Sequence, residues 1–144
     1  METVTGGSLA AQIPIVSYLA LNETPRLRAH ECAQCGAIYL DRRLACARCE
    51  ARHFRDRDLG STGTVGSFTI VHRSPARVTL PYVSALVELD GGGIVKANLV
   101  GVDPTPESIW LGMRVQLTTF TAGTDDEGTD AVAFAFEPIG DDLA

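Results

Sequence analysis

No window of this 144-residue chain holds the roughly 18 consecutive apolar residues that a bilayer-spanning helix needs, although hydrophobic residues make up 45% of it. That excludes a membrane-spanning helix and leaves enough apolar side chains for a core. Aromatic residues are few, at 6%, which leaves little on which nucleic-acid bases stack. There is no Gly-rich phosphate loop of Walker type, no HExxH and no Ser-His-Asp arrangement, so the sequence carries none of these catalytic motifs. The opening residues METVTGGSLAAQIPIVSYLALN lack a basic n-region, carry Glu2 and are interrupted by Pro14. They are not expected to form a signal peptide. The expected compartment is the cytoplasm, where cysteines stay reduced and serve metals or redox chemistry more often than structural disulfides.

Cysteine is absent from all but one stretch. ECAQCGAIYLDRRLACARCE, residues 31–50, holds all four, at Cys32, Cys35, Cys46 and Cys49. They form two C-x-x-C pairs ten residues apart. Such a pair lets two sulfurs of one tight turn reach the same ion, and two turns brought together by a hairpin complete a tetrahedral S4 shell around zinc. Gly36 follows Cys35 and tolerates the left-handed backbone as the chain leaves the turn. Glu50 takes that place after Cys49, a less suitable residue. Ile38, Leu40 and Leu44 are available for a small hairpin between the pairs. The alternatives are a redox dithiol and a disulfide pair, but no βαβ unit is visible beside the cysteines. Four thiolates leave no open coordination position, so the expected role of the ion is structural.

Charge is unevenly spread along the chain, whose net formal charge is −6. Residues 26–57 carry Arg26, Arg28, Arg42, Arg43, Arg48, Arg52, Arg55 and Arg57 against Glu31, Asp41, Glu50 and Asp56. Beyond them the balance is strongly acidic, with only Arg73, Arg77, Lys96 and Arg114 as strong bases. The arginines form either a solvated face or a seat for phosphates or an acidic partner surface.

After the cysteines the text changes period. Residues 64–72, 82–89, 94–100, 113–120 and 131–137 read as strands, and DGGG at 90–93 is a turn between the second and third. Residues 121–130 read as a polar loop, and a helical turn is expected near 107–110. Residues 15–21 are expected to form a short helix ending near Pro25. Five short strands without a long helix suggest a small barrel such as an OB-fold, with a half-sandwich as the close alternative. The expected fold is mainly β: an N-terminal segment with a short helix (1–25), a zinc ribbon (26–58) and a five-stranded OB-fold barrel (59–144).

In this order, CAQCG…CARC, GTVGSFTIVHRSP, PYVSALVELDGGGIVKANLVGVDP and LGMRVQLTTF, the chain resembles the DUF35 family of proteins with a rubredoxin-like zinc ribbon and an OB-fold. The resemblance runs from about residue 13 to 138. It implies association with thiolase-like enzymes of acyl-CoA metabolism: thiolases, condensing enzymes or retro-aldolases. It implies a non-catalytic accessory subunit, two copies per partner dimer, that stabilises the complex and helps form the acyl-CoA channel. The nucleophilic cysteine would be the partner's, since all four cysteines here are committed to the metal. Two other readings stand beside it: an acyl-CoA-binding scaffold that bridges two enzymes, and a single-stranded nucleic-acid binder. The acidic barrel segment argues against the last, because counterion release needs a basic groove; neither nucleic acid nor membrane is an expected partner.

Arg73, Tyr82 and Asn98 are the candidate rim for acyl-CoA or the partner. Arg73 follows His72 at a strand end, where His72 is either packed in the fold or part of the same rim. Tyr82 opens the next strand. Asn98 is polar within an apolar strand, opposite the face of Val95, Ala97 and Leu99.

Overall fold

The computed structural model of the protein describes residues 11–75 and 78–140. The described chain contains ten strands and one 3-10 turn. They are β1 (Gln12–Pro14), β2 (Leu19–Ala20), β3 (Arg26–Cys32), β4 (Ile38–Tyr39), β5 (Phe54–Asp58), β6 (Thr62–Val71), β7 (Tyr82–Leu89), β8 (Ile94–Leu99), β9 (Arg114–Thr124) and β10 (Asp130–Pro138). The 3-10 turn, Pro106–Ser108, lies close to the helical turn expected at 107–110.

The last five strands close a barrel. β6 pairs with β7, β7 with β8, β8 with β10, β10 with β9, and β9 returns to β6. All contacts are antiparallel except β8 with β10, which run parallel at Leu99 and Phe136. Closure leaves the five strands without an open seam. The alternation read in the sequence faces inward as expected: Val83, Ala85, Val87 and Leu89 from β7 and Val95, Ala97 and Leu99 from β8 are buried. A bulge between Val65 and Ser67 shifts the register, so Phe68 and Ile70 face Ala85 and Val83. Ile109 and Met113, just after the 3-10 turn, are buried in the same core. The loop expected at 121–130 is shorter. β9 runs to Thr124, and the turn is held by the Asp125 carboxylate, which accepts the amides of Glu127 and Thr129 at 2.9 Å each.

The ribbon is built around β3. β5 lies antiparallel along it, and β2 and β4 pair with its two ends. Neither β3 (RLRAHEC) nor β5 (FRDRD) reads as a strand from propensity, because charged residues are poor strand formers. Their charges answer one another across the pair: Arg28 faces Asp58, His30 faces Asp56 and Glu31 faces Arg55.

The short helix expected over residues 15–21 does not form. That stretch makes a turn and then β2, with Leu19 buried opposite Leu27. The seven residues 15–21 are too few to sustain an isolated helix, and the pairing buries Leu19. The first ten residues of the N-terminal segment lie outside the described residues. β1 adds parallel to the outer edge of β10.

Ribbon and barrel share one core. Leu19, Leu27, Ala29 and Leu59 belong to the same buried cluster as Val65, Val87 and Phe136.

Candidate metal centre and rim

The four cysteine sulfurs all lie within 4.8 Å of one another. Cys32 and Cys49 are 3.6 Å apart, as are Cys35 and Cys46. A disulfide needs about 2.05 Å, so these are four separate thiols. Bonds of about 2.3 Å to one tetrahedral zinc ion set neighbouring sulfurs roughly 3.8 Å apart, and the observed spacing fits.

The two knuckles are built alike. In the first, Gly36 N–H donates to the Cys32 carbonyl at 3.0 Å, and Cys32 N–H donates to the Ala37 carbonyl at 2.8 Å. In the second, Glu50 N–H donates to the Cys46 carbonyl at 2.8 Å, and Cys46 N–H donates to the Ala51 carbonyl at 2.7 Å. Both turns leave through a left-handed residue, Gly36 at φ 82° and Glu50 at φ 69°. Glycine accepts that conformation without strain; glutamate does not. Backbone amides then converge on the sulfurs. Gln34 and Cys35 donate to Cys32 Sγ at 3.4 and 3.5 Å, and Arg48 donates to Cys46 Sγ at 3.4 Å.

These donors favour thiolates. The Cys35 amide, followed by that of Gln34, holds the Cys32 thiol below its ordinary value. The Cys46 thiol falls to about 6, chiefly through the Tyr39 hydroxyl 3.4 Å away. Cys49 moves the other way, up to about 12: its hydrogen bond with Ala51 is outweighed by burial and by the three neighbouring sulfurs. So many sulfurs this close do not all ionise unless a cation offsets them. The cluster can therefore hold one metal ion.

Tyr39 is a supporting residue that sequence reasoning missed. Its hydroxyl accepts the Ala47 amide at 3.1 Å while contacting Cys46. Its ring packs edge-on to Phe54 at 6.1 Å, and the Arg43 guanidinium lies 4.6 Å from the ring centre. The spacer leucines divide. Leu40 packs against the core with Ile38, but Leu44 is 88% exposed at the tip.

The three rim candidates lie apart from the cysteines in the fold. Asn98 is exposed on β8 and pairs with Ser84 of β7. Tyr82 is half-buried and pairs with Val71. Both lie on the outward face of the β7–β8 hairpin, which also carries Leu86 and Lys96. Arg73 is exposed in the segment after β6, and with Ser74 and Pro75 it lines a separate shallow hollow. β6 ends at Val71, so His72 is exposed rather than packed.

A cationic concavity lies on the ribbon beside the knuckles. His30, Arg42, Arg43, Arg52, His53 and Asp56 line a cleft of about 520 Å³. The charge count of residues 26–57 pointed to this region, but sequence alone could not say which arginines converge.

Residues 56–120 match the family described as ChsH2, C-terminal OB-fold domain. A DUF35 domain-containing scaffold protein of Pyrococcus furiosus is 32% identical over 120 residues, spanning 81% of this chain and 86% of the relative. A probable enoyl-CoA hydratase alpha subunit of Thermomonospora curvata is 34% identical over 93 residues, 64% of this chain, which spans 28% of that longer protein. Among solved structures, one described as Ltp2-ChsH2(DUF35) aldolase superposes with a TM-score of 0.63 at 32% identity, covering 78% of this chain and 84% of the other.

Proposed function

The chain belongs to the DUF35 family, and from that premise we propose that it is a non-catalytic accessory subunit of a thiolase-like acyl-CoA enzyme. The observation that carries this reading is the solved neighbour, in which a DUF35 chain is named together with an aldolase and matches most of this chain at 32% identity. The partner supplies the nucleophile and the acid–base groups. This chain stabilises the complex and helps form the acyl-CoA channel, with one structural zinc held by Cys32, Cys35, Cys46 and Cys49.

The chain's own chemistry agrees. Its four cysteines are all gathered in the metal cluster, so no sulfur is left over as a nucleophile. With four thiolates around it, zinc has no open position for water and supplies only cross-linking of the two knuckles. A two-fold partner would carry two copies of this chain, with Arg73, Tyr82 and Asn98 near the acyl-CoA entrance. The acyl-CoA assignment draws on the relative named as an enoyl-CoA hydratase subunit.

The test is co-purification of the tagged full chain from its native cell, followed by measurement of the complex mass. A thiolase-like enzyme at two copies each is the expected result, and recovery of no acyl-CoA enzyme would overturn it. Alanine at Arg73, Tyr82 or Asn98 should leave metal content intact and raise the partner's KM for acyl-CoA at one or more sites. A second reading, a scaffold that bridges two enzymes, is favoured by the name of the archaeal relative. It requires two different enzymes in the recovered complex.

A further inference from the structure

We propose that the cleft on the ribbon binds the phosphate groups of a nucleotide-sized ligand. Its walls come from separate segments. Arg42 and Arg43 lie between the two knuckles, Arg52 and His53 follow the second knuckle, and His30 and Asp56 face each other across β3 and β5. Asp56 is the one acid among the lining residues, and it is engaged: its carboxylate lies 3.5 Å from His30 Nδ1 and 3.7 Å from Arg28 Nη2. Arg42 and Arg52 have neither an ion pair nor a hydrogen bond among the described residues. Arg43 is oriented by its Nε donating to the Ala45 carbonyl at 3.3 Å and by its place over Tyr39.

Elsewhere on the ribbon four of the five remaining arginines are spent on the fold, and Arg48, which does not line the cleft, is the exception. Arg26, Arg28, Arg55 and Arg57 all pair with Asp58, Asp56 or Glu31. Two unpaired guanidinium groups, those of Arg42 and Arg52, thus share one concavity with Arg43. Planar forks that present paired donors suit phosphate oxygens. The cleft shares His30, Arg42 and Asp56 with a neighbouring hollow of about 320 Å³, whose other walls are Ser17, Tyr18, Arg28, Ala29 and Leu40. Phosphates fit the first part, and the mixed polar and apolar lining of the second suits a further portion of the same ligand. Anion binding stands on this lining alone; only the naming of the ligand as acyl-CoA rests on the accessory role.

The experiment is calorimetric titration of the zinc-loaded full chain with inorganic pyrophosphate. Arg42→Gln together with Arg52→Gln keeps side-chain length and removes charge. Affinity should fall at least tenfold in that double variant. It should hold in Arg55→Gln, whose residue is paired with Glu31 and does not line the cleft. Zinc content is measured on every variant to confirm an intact ribbon. No binding by the parent chain, or equal binding by all three proteins, overturns the assignment. Competition with CoA separates the sources: displacement points to a nucleotide-linked ligand, and its absence to a free polyphosphate. The readout needs no partner enzyme. Loss of binding leaves the accessory role standing, and failure to recover a partner leaves the cleft standing.

Discussion

Ribbon and barrel are both built mainly of antiparallel strand pairs, yet different forces hold them. Across β7 and β8 the inward pairs are Val83 with Leu99, Ala85 with Ala97 and Val87 with Val95, all buried. Across β3 and β5 the partners are charges, with Arg28 Nε 3.0 Å from Asp58 and Arg55 Nε 3.1 Å from Glu31. Exposed ion pairs each contribute about 0–1 kcal/mol. The charges thus set the register of the ribbon while contributing little to its stability. What is left to stabilise it is an ion held by the four clustered cysteines, which they are placed to bind, and the few apolar residues it lends to the common core. The barrel, by contrast, stands on apolar burial. A small module that exposes its arginines gives up core to do so, and a bound metal is the kind of contribution that offsets the loss.

The largest way to break this contrast is to remove the metal. Zinc contributes about 10–16 kcal/mol of folding energy in small structural sites. Chelation or Cys46→Ser should abolish hydrogen-exchange protection in β3, β4 and β5 while β7 and β8 keep theirs at a lowered Tm. Retained protection in the metal-free ribbon would show that the charged strands stand alone. The converse change is Phe136→Ala, at a side chain with 0% exposure. It should cost about 3–5 kcal/mol in urea unfolding and leave one metal per chain.

A smaller effect probes the join. Arg57 Nη2 donates to the Gly91 carbonyl, and a Cβ on Gly92 would come 3.1 Å from Ile38 Cδ1. Gly92 sits at φ 118°, so Gly92→Ala should cost about 1–3 kcal/mol of backbone strain, read as a drop in Tm. Next is Glu50→Gly, which relieves the left-handed glutamate of the second knuckle and should add about 1 kcal/mol, seen as slower metal loss to a competing chelator.

The smallest effect belongs to the barrel. Arg114, with help from Thr62, holds the Asp90 carboxyl down to about 2. A depressed acid contributes stability above its unfolded value, near 4, and loses it as pH falls toward 2. Asp90→Asn should lower stability slightly at neutral pH, where the carboxylate is charged and paired, and converge with the parent chain toward pH 2, so that the acid side of the stability curve flattens in that window.

The barrel was legible because apolar alternation is a period-two signal: β7 matches its expected span, and β8 differs by one residue. The DGGG turn was legible for its glycines, though not its contact with Arg57 and Ile38, which joins residues far apart in sequence. The cysteine cluster was legible from spacing alone. β3 and β5 were not, because their stabilising partners are charges on a distant strand, and RLRAHEC and FRDRD read as surface. The helix expected over residues 15–21 failed for the same reason: Leu19 gains its burial from Leu27, not from its own neighbours. Tyr39 left only a weak trace, an aromatic within the spacer. The convergence of Arg42, Arg43 and Arg52 left none beyond local charge.

Between β5 and β6 lie only Leu59, Gly60 and Ser61. Leu59 is buried and donates its amide to the Leu27 carbonyl at 2.9 Å, and a Cβ on Gly60 would meet the Asp90 carbonyl oxygen at 2.6 Å. Such a connection is a splint rather than a joint. The arginine-lined hollow on one module and the outward face of β7 and β8 on the other are therefore held at a set span. A partner that grips both is measured against a ruler: it fits at one separation, and a longer or shorter surface is turned away without any group touching it in error.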